Sequence, residues 1–308
     1  MCIAEDRITT AYQNYQSELV EAGLLIPLGV PGVYGGSGVF EGVIEHFERY
    51  ITRTGAHLGA EVMRFPPLFC RRHYLGTSHV QNFPDLMGSV HSFTGNERQH
   101  GALLRKKESG EDWTSDLTPT DTMLIPAACY PLYPTATGTL PDEGRTVDLR
   151  SFVFRHEPSA DPARMQCFRQ REYVRLGSEA QALAHRDYWL GQAERMLLAV
   201  GLDAKPVPAN DPFFGRGGKM MAATQKEQAL KYELVVPVAT ADRPTAVASA
   251  NCHLDYFGQT FGILTPDGKP AHSSCVGFGL ERIALALFRA HGFDPARWPA
   301  AVRQVLEL

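Results

Sequence analysis

"RSFVFRHEPSADPARMQCFRQREYVRLG", residues 150–177, decides the fold. Two runs rich in Phe, Val, Tyr and Arg, "RSFVFRHE" and "QCFRQREYVRLG", flank "PSADPARM", a Pro- and Asp-containing segment suited to a loop. Such a pattern reads as a long antiparallel hairpin. Side chains alternate along a strand, which places Val153, Arg155 and Glu157 on one face and Arg164, Gln166, Phe168, Gln170 and Glu172 together across the hairpin. Arginine forks onto phosphate, an aromatic ring stacks on a nucleobase, and a carboxylate accepts from an exocyclic amine. These are the parts of a nucleotide site; the blander alternative is a solvated, salt-bridged strand pair. Arg169 and Arg171 fall on the other face, with no role evident.

Outward from the hairpin the chain alternates helices and strands. "DRITTAYQNYQSELVEAG" has helical composition and stops at Gly23, and the Gly/Pro-rich "GLLIPLGVPGVYGGSG" after it reads as irregular. Ser37 is placed to cap a helix whose Val39, Phe40, Val43, Ile44, Phe47 and Ile51 form one apolar stripe. "AEVMRFPPLF" reads as a strand ending near Pro66 and Pro67, and residues 85–130 alternate short apolar runs with polar loops. "LAHRDYWLGQAERMLLAVG" is predicted helical, "AKPVPA" a strand, and "GGKMMAATQKEQALKYELVVPV" a basic helix running into a strand. "TAVASANCHLDYFG", "QTFGILTP" and "HSSCVGFG" read as successive strands before a helix, "LERIALALFRAHG", stopped by Gly292. Central strands joined by hairpins and flanked by helices imply an α+β fold with a mostly antiparallel sheet. With no internal repeat or low-complexity linker, residues 1–308 form one domain carrying a small helical insertion at about 204–231.

Composition narrows the function. Of 308 residues, 44% are hydrophobic and 21% charged, as in an ordinary globular enzyme. A net charge of -4 argues against a protein that wraps nucleic acid, whose affinity draws on many phosphate contacts. "MCIAEDRITT" has no apolar leader core and no run is long enough to span a bilayer, so a cytoplasmic protein without membrane contact is expected. Six cysteines without a CxxC pair point to reduced thiols.

"FRHE" at 154–157, then "RMQCFRQRE" at 164–172, then "GFGLER" at 277–282 resemble motifs 2 and 3 of the class II aminoacyl-tRNA synthetases, and "FPPLF" resembles motif 1. Arg164, Phe168 and Glu172 reproduce the Arg, Phe, Glu spacing of the seryl enzymes. The resemblance covers roughly residues 38–292 and implies a class II synthetase-like antiparallel sheet flanked by helices, dimeric through motif 1. It further implies that Arg155 holds the α-phosphate and the attacked carboxylate, and that Glu157 reads the adenine amino group. Phe168 and Arg282 would sandwich the adenine, and Arg164 would meet the outer phosphates. Met165, Lys231, Ala246 and Ser249 occupy positions near ATP in that family. The acidic residue that helps hold Mg2+ in ordinary seryl enzymes falls near Thr245 and Ala246, leaving Glu233 and Asp255 as candidates.

Cys129, in "PAACYP", and Cys275, in "HSSCVGFG", together with Glu172 match the zinc ligands of the atypical, archaeal-type seryl enzymes. Two thiolates and a carboxylate suit one Zn2+ per subunit with a fourth position open for a substrate amine. Taken alone, two distant cysteines are more often core residues. His253 and His272 read as structural, and "GRGGKMM" lacks the spacing of a phosphate loop.

Only about 37 residues precede the motif 1 helix, where tRNA synthetases of this type carry a tRNA-gripping domain. A core with the zinc triad and without that arm is similar to the amino acid:[carrier protein] ligases. The resemblance implies ATP-dependent activation of a small amino acid, glycine favoured and alanine next, as an aminoacyl-adenylate. Transfer to the phosphopantetheine thiol of a small acidic carrier protein would follow, with no tRNA involved. The basic helix bearing Arg216, Lys219 and Lys226 is the candidate docking surface, a solvated helix face its rival. Three other readings stay open: a zinc-dependent seryl-tRNA synthetase with a tRNA-binding partner, a catalytically silent ATP-binding regulatory paralogue, and a plain nucleic-acid binder.

Overall fold

A computed structural model describes residues 2–211 and 229–308. The hairpin at 150–177 lies inside a seven-stranded sheet. In chain order its strands are β1 (Glu61–Arg64), β2 (Arg145–Phe154), β3 (Cys167–Gly177), β4 (Lys205–Pro208), β5 (Lys231–Val236), β6 (Thr245–Leu254) and β7 (His272–Gly279). The spatial order is β4-β5-β6-β7-β3-β2-β1. Every neighbouring pair is antiparallel except β1 with β2, which run parallel at the edge. The α+β expectation therefore holds.

Helices cover one face. They are α1 (Cys2–Glu21), α2 (Gly38–Gly55), α4 (Glu179–Ala199) and α5 (Leu280–His291), while α3 (Glu97–Ser109) lies apart with no buried residue. Ser37 caps α2 by accepting from Phe40 N, and the predicted stripe of Phe40, Val43, Ile44, Phe47 and Ile51 is buried as one core face. Trp189 of α4 packs on Tyr173 of β3, ring centroids 4.5 Å apart. A second core of Tyr133, Leu149, Val174, Phe257 and Ile263, with Cys129 and Cys275, fills the opposite face of the sheet.

The structure corrects several local expectations. β2 ends at Phe154, and Arg155 to Gln166 form a loop, so strand alternation does not set the directions of Arg155, Glu157 and Arg164. "QTFGILTP" instead holds the end of a short helix, Tyr256–Phe261, and a strand of only two residues, Ile263–Leu264. Helix α3, with a capping box built by Asn96 and Gln99, went unread because its exposed sequence carries no apolar stripe. The strand read in "AKPVPA" is present as β4, whereas Arg216, Lys219 and Lys226 lie outside the described residues.

An N-terminal hairpin, Leu25–Pro27 with Tyr34–Gly36, reaches the motif 2 loop. At its tip, Gly32 O accepts from Gln166 N at 2.8 Å and Pro31 O accepts from Gln166 Nε2 at 2.8 Å. Gly32 sits at φ +75, and a Cβ there would come within 3.1 Å of Arg164 O, so both conformation and contact call for glycine.

Candidate active site

Alternation along β3 sorts its side chains. Phe168, Gln170 and Glu172 face away from the helices, while Arg169 and Arg171 face them. Arg171 is buried, donating Nε to Asp148 Oδ1 at 2.7 Å and Nη2 to Asp148 Oδ2 at 2.5 Å. Arg169 donates Nε to Glu281 Oε1 at 2.7 Å and Nη1 to Glu41 Oε2 at 2.6 Å. The two arginines without a role in the sequence are thus fully engaged beneath the sheet.

The arginine end of the site forms where β3, β6 and α5 meet. Arg282 is fixed by donating Nε to Ala163 O at 2.8 Å and Nη1 to Ala246 O at 3.0 Å. Burial, then the nearby Arg155 and Arg164 charges, lower Arg282 to about 10. Arg155 donates Nε to Pro126 O at 3.1 Å. Both guanidinium carbons, of Arg155 and Arg282, lie 5.6 Å from the centroid of Phe168. A ring inserted between Phe168 and Arg282 needs about 7 Å, twice an ordinary contact distance. The expected adenine sandwich is therefore present as two walls in contact, not as an open slot. Glu157 and Arg164, expected to meet base and phosphates separately, pair with each other at 3.3 Å. Met165 is buried in the larger core.

The second end of the site lies on the same face, farther along β3 and β7. Gly277 stands in register with Glu172 on one side and Ser249 on the other, and Cys275 with Val174 and Asn251. The segment 125–130 crosses here, and Ala128 N donates to Glu172 Oε1 at 2.9 Å. Glu172, Cys129 and Cys275 are all buried, and Glu172 Oε2 has no hydrogen-bond partner. Burial first, then Cys275, pushes Glu172 up to about 8. The two thiols act on each other, holding Cys129 well above and Cys275 well below the ordinary thiol range. Among the described residues, no three His, Cys, Asp or Glu side chains form a ready-made metal-binding set. Cys129, Glu172 and Cys275, expected as zinc ligands, are thus buried neighbours that do not form such a set.

One residue here escaped the sequence reading and another was set aside. Asn251 Nδ2 lies 3.4 Å from Cys275 Sγ and 3.1 Å from Ser249 Oγ. His253, set aside as structural, has Nε2 3.6 Å from Cys275 Sγ and Nδ1 3.0 Å from Ser273 Oγ. Residues 249, 251 and 253 share a strand face, and this period of two was the available signal. Lys231 pairs with Asp211 at 2.5 Å and with Glu233 at 3.2 Å, and these carboxylates hold its ammonium up against burial. Of the magnesium candidates, Glu233 lies opposite Ser249, whereas Asp255 accepts from Gln259 Nε2 near the far end of β6. A cavity of about 690 Å3 opens beside Ser178, Asp255 and Lys269, at the opposite end of β3 and β7 from Arg282. Apart from Asp255, no candidate site residue lines it.

No protein-family model matches the chain. It is 44% identical over 283 residues to amino acid–[acyl-carrier-protein] ligase 2 of Bradyrhizobium diazoefficiens, covering 91% of this chain and 84% of that one. Ligase 1 of the same organism is 41% identical, with 91% and 86% covered. The chain belongs to the amino acid–[acyl-carrier-protein] ligases. Such a ligase is an enzyme. More distantly, this ligase is 24% identical to the type-2 serine–tRNA ligase of Methanopyrus kandleri over 69% of its length and 41% of the relative's. Solved structures support the fold. The M. kandleri SerRS in complex with A. aeolicus tRNASec gives a TM-score of 0.81 at 20% identity, over 95% of the ligase and 60% of that chain. A cytoplasmic serine–tRNA ligase from Naegleria fowleri in complex with AMP gives 0.71 at 14% identity, over 95% and 59%. The class II synthetase-like core expected from the sequence is shown. No helix among the described residues is long and apolar enough to cross a membrane.

Proposed function

We propose that this ligase activates a small amino acid with ATP and Mg2+ and passes it to the phosphopantetheine thiol of a carrier protein. The observation that carries the reading is a single sheet face with Arg155, Phe168 and Arg282 at one end and the buried Cys129, Glu172 and Cys275 at the other. ATP would enter as Arg282 and Phe168 part around its base, with Arg164 and Glu157 released from each other to meet phosphate and adenine. The substrate carboxylate attacks the α-phosphorus; the new oxygen–phosphorus bond forms as pyrophosphate departs with the electron pair. Arg155 offsets the charge that builds on the phosphoryl oxygens. In the second step the thiol sulfur attacks the carbonyl carbon, the thiol loses its proton, and AMP leaves. Orientation by the sheet face supplies most of what this step needs, because a thiol is a strong nucleophile.

Two buried thiols beside the buried Glu172 carboxyl have the donor chemistry of a zinc site, and Cys129, Glu172 and Cys275 would hold the ion once drawn together around it. When bound, zinc would supply a Lewis-acidic position for the free amine of the substrate. Asn251 and His253 would steady Cys275, as outer hydrogen-bonding partners do at metal sites. Tyr133, stacked on Phe257 at 3.6 Å, walls this end and favours a substrate with little or no side chain, glycine before alanine. The enzyme is proposed to act as a homodimer in the cytoplasm, on a carrier protein and not on tRNA.

The test is amino-acid-dependent ATP–pyrophosphate exchange across the standard amino acids, with metal analysis, followed by transfer to holo carrier protein, apo carrier protein and tRNA. Exchange with glycine and loading of the holo carrier alone are expected. Loading of tRNA, or exchange without carrier loading, would overturn the assignment.

A further inference from the structure

We infer that the ion chain Glu281–Arg169–Glu41 is a positioning device that fixes the two walls of the ATP slot from behind, and so sets affinity for the nucleoside triphosphate without touching it. The inference rests on the reading of Phe168 and Arg282 as those walls. Arg169 directly follows Phe168, and Glu281 directly precedes Arg282. Glu281 uses both carboxylate oxygens on one residue. Oε2 accepts from the main-chain N of Arg169 at 2.7 Å, and Oε1 accepts from its Nε at 2.7 Å. A shift of the first turn of α5, which carries Arg282, is therefore transmitted to the backbone that carries Phe168.

The remaining guanidinium nitrogens reach the first turn of α2. Nη1 donates to Glu41 Oε2 at 2.6 Å and Nη2 to Glu41 Oε1 at 2.9 Å. One guanidinium thus ties α2 to the segments that resemble motifs 2 and 3. Glu281 is buried and Glu41 about a third exposed, with side-chain exposures of 7% and 37%. Burial raises the Glu281 carboxyl and Arg169 opposes that rise, so the pair is tightly matched. Buried ion pairs contribute little net stability against an apolar substitute of the same volume, so a pair placed directly behind a ligand site is better explained by geometry than by stability.

Steady-state ATP–pyrophosphate exchange and calorimetric ATP binding test the device, using wild type, Glu281→Gln and Glu41→Gln, with thermal melting alongside. In Glu281→Gln an amide NH2 replaces one acceptor and faces an N–H. Its KM and Kd for ATP should rise about tenfold while the KM for the amino acid stays within about twofold, since small misplacements of binding groups are costly. Glu41→Gln should move ATP affinity in the same direction by about threefold. A purely structural role predicts lower melting temperatures with unchanged ATP affinity, and that result overturns the inference. Should Glu281→Gln not fold, the more exposed Glu41→Gln decides alone, and unchanged ATP affinity there refutes the device. A wild type without exchange would sink the adenylation reading, while calorimetric ATP affinities in the same series would still judge the clamp.

Discussion

Metal-stripped protein should lose stability as the pH rises from about 4.5 to about 8, and Glu172 should be the cause. Its carboxyl stands at about 8 against an ordinary 4.5, because burial penalises the charged form and Cys275 adds to the effect. A folded-state value above the unfolded one means that the folded protein holds the proton more tightly. The resulting stabilisation is complete below about 4.5 and is lost progressively as the pH climbs through about 8. That gap, at about 1.4 kcal/mol per pH unit, gives a ceiling of roughly 5 kcal/mol. Glu172→Gln keeps the shape and an oxygen acceptor for Ala128 N but cannot ionise. Urea unfolding of the metal-free proteins across this range should show the wild type falling relative to the Gln variant by several kcal/mol. Zinc added near pH 7.5 should restore the wild type with release of protons, and should help the Gln variant far less. Parallel pH profiles for the two metal-free proteins would refute the reasoning, because they would mean that Glu172 is not desolvated.

Other expectations follow from close contacts. Asp148→Asn removes the nearer carboxylate from the buried Arg171, leaving Glu48 at 3.8 Å as its remaining charge partner, and should cost about 3 kcal/mol, read as a fall in Tm with α-helical content retained. Gly55→Ala puts a Cβ within 2.5 Å of Tyr173 Cζ and closer still to its hydroxyl. It should destabilise by about 1–3 kcal/mol, and Tyr173→Phe in the same chain should recover part of that loss. Gly277→Ala meets only ordinary contacts, with Glu172 Cγ at 3.6 Å and Ser249 Oγ at 3.9 Å. It should leave Tm nearly unchanged but raise the KM for the amino acid about tenfold or more, since the methyl fills the space between those two side chains.

The sequence was most informative where periodicity and cooperating motifs agreed. The α2 stripe, the β2–β3 hairpin and the closing helix α5 follow from spacing, because burying an apolar face dominates their energetics. Arg155, Phe168 and Arg282 do converge, from a loop, a strand and a helix end. Strand parity failed at Arg155 and Glu157 because β2 stops at Phe154, one residue before Arg155 and three before Glu157, and loop hydrogen bonds take over. Arg169 and Arg171 had no reading, since their partners Glu41, Glu281 and Asp148 are 128, 112 and 23 positions away. Asn251 and His253 were hidden for a related reason: their significance lies in Cys275 on the neighbouring strand, and register across strands is not written in either one alone.

The N-terminal hairpin bears on how the enzyme can be cut and joined. Since Pro31 and Gly32 satisfy both the side chain and the main chain of the buried Gln166, deleting residues 1–36 would strip two acceptors from the motif 2 loop. Tags, fusions or split-protein boundaries placed upstream of α1 leave that seam whole. A boundary at the start of α2, where the motif resemblance alone would put the edge of the catalytic core, opens it.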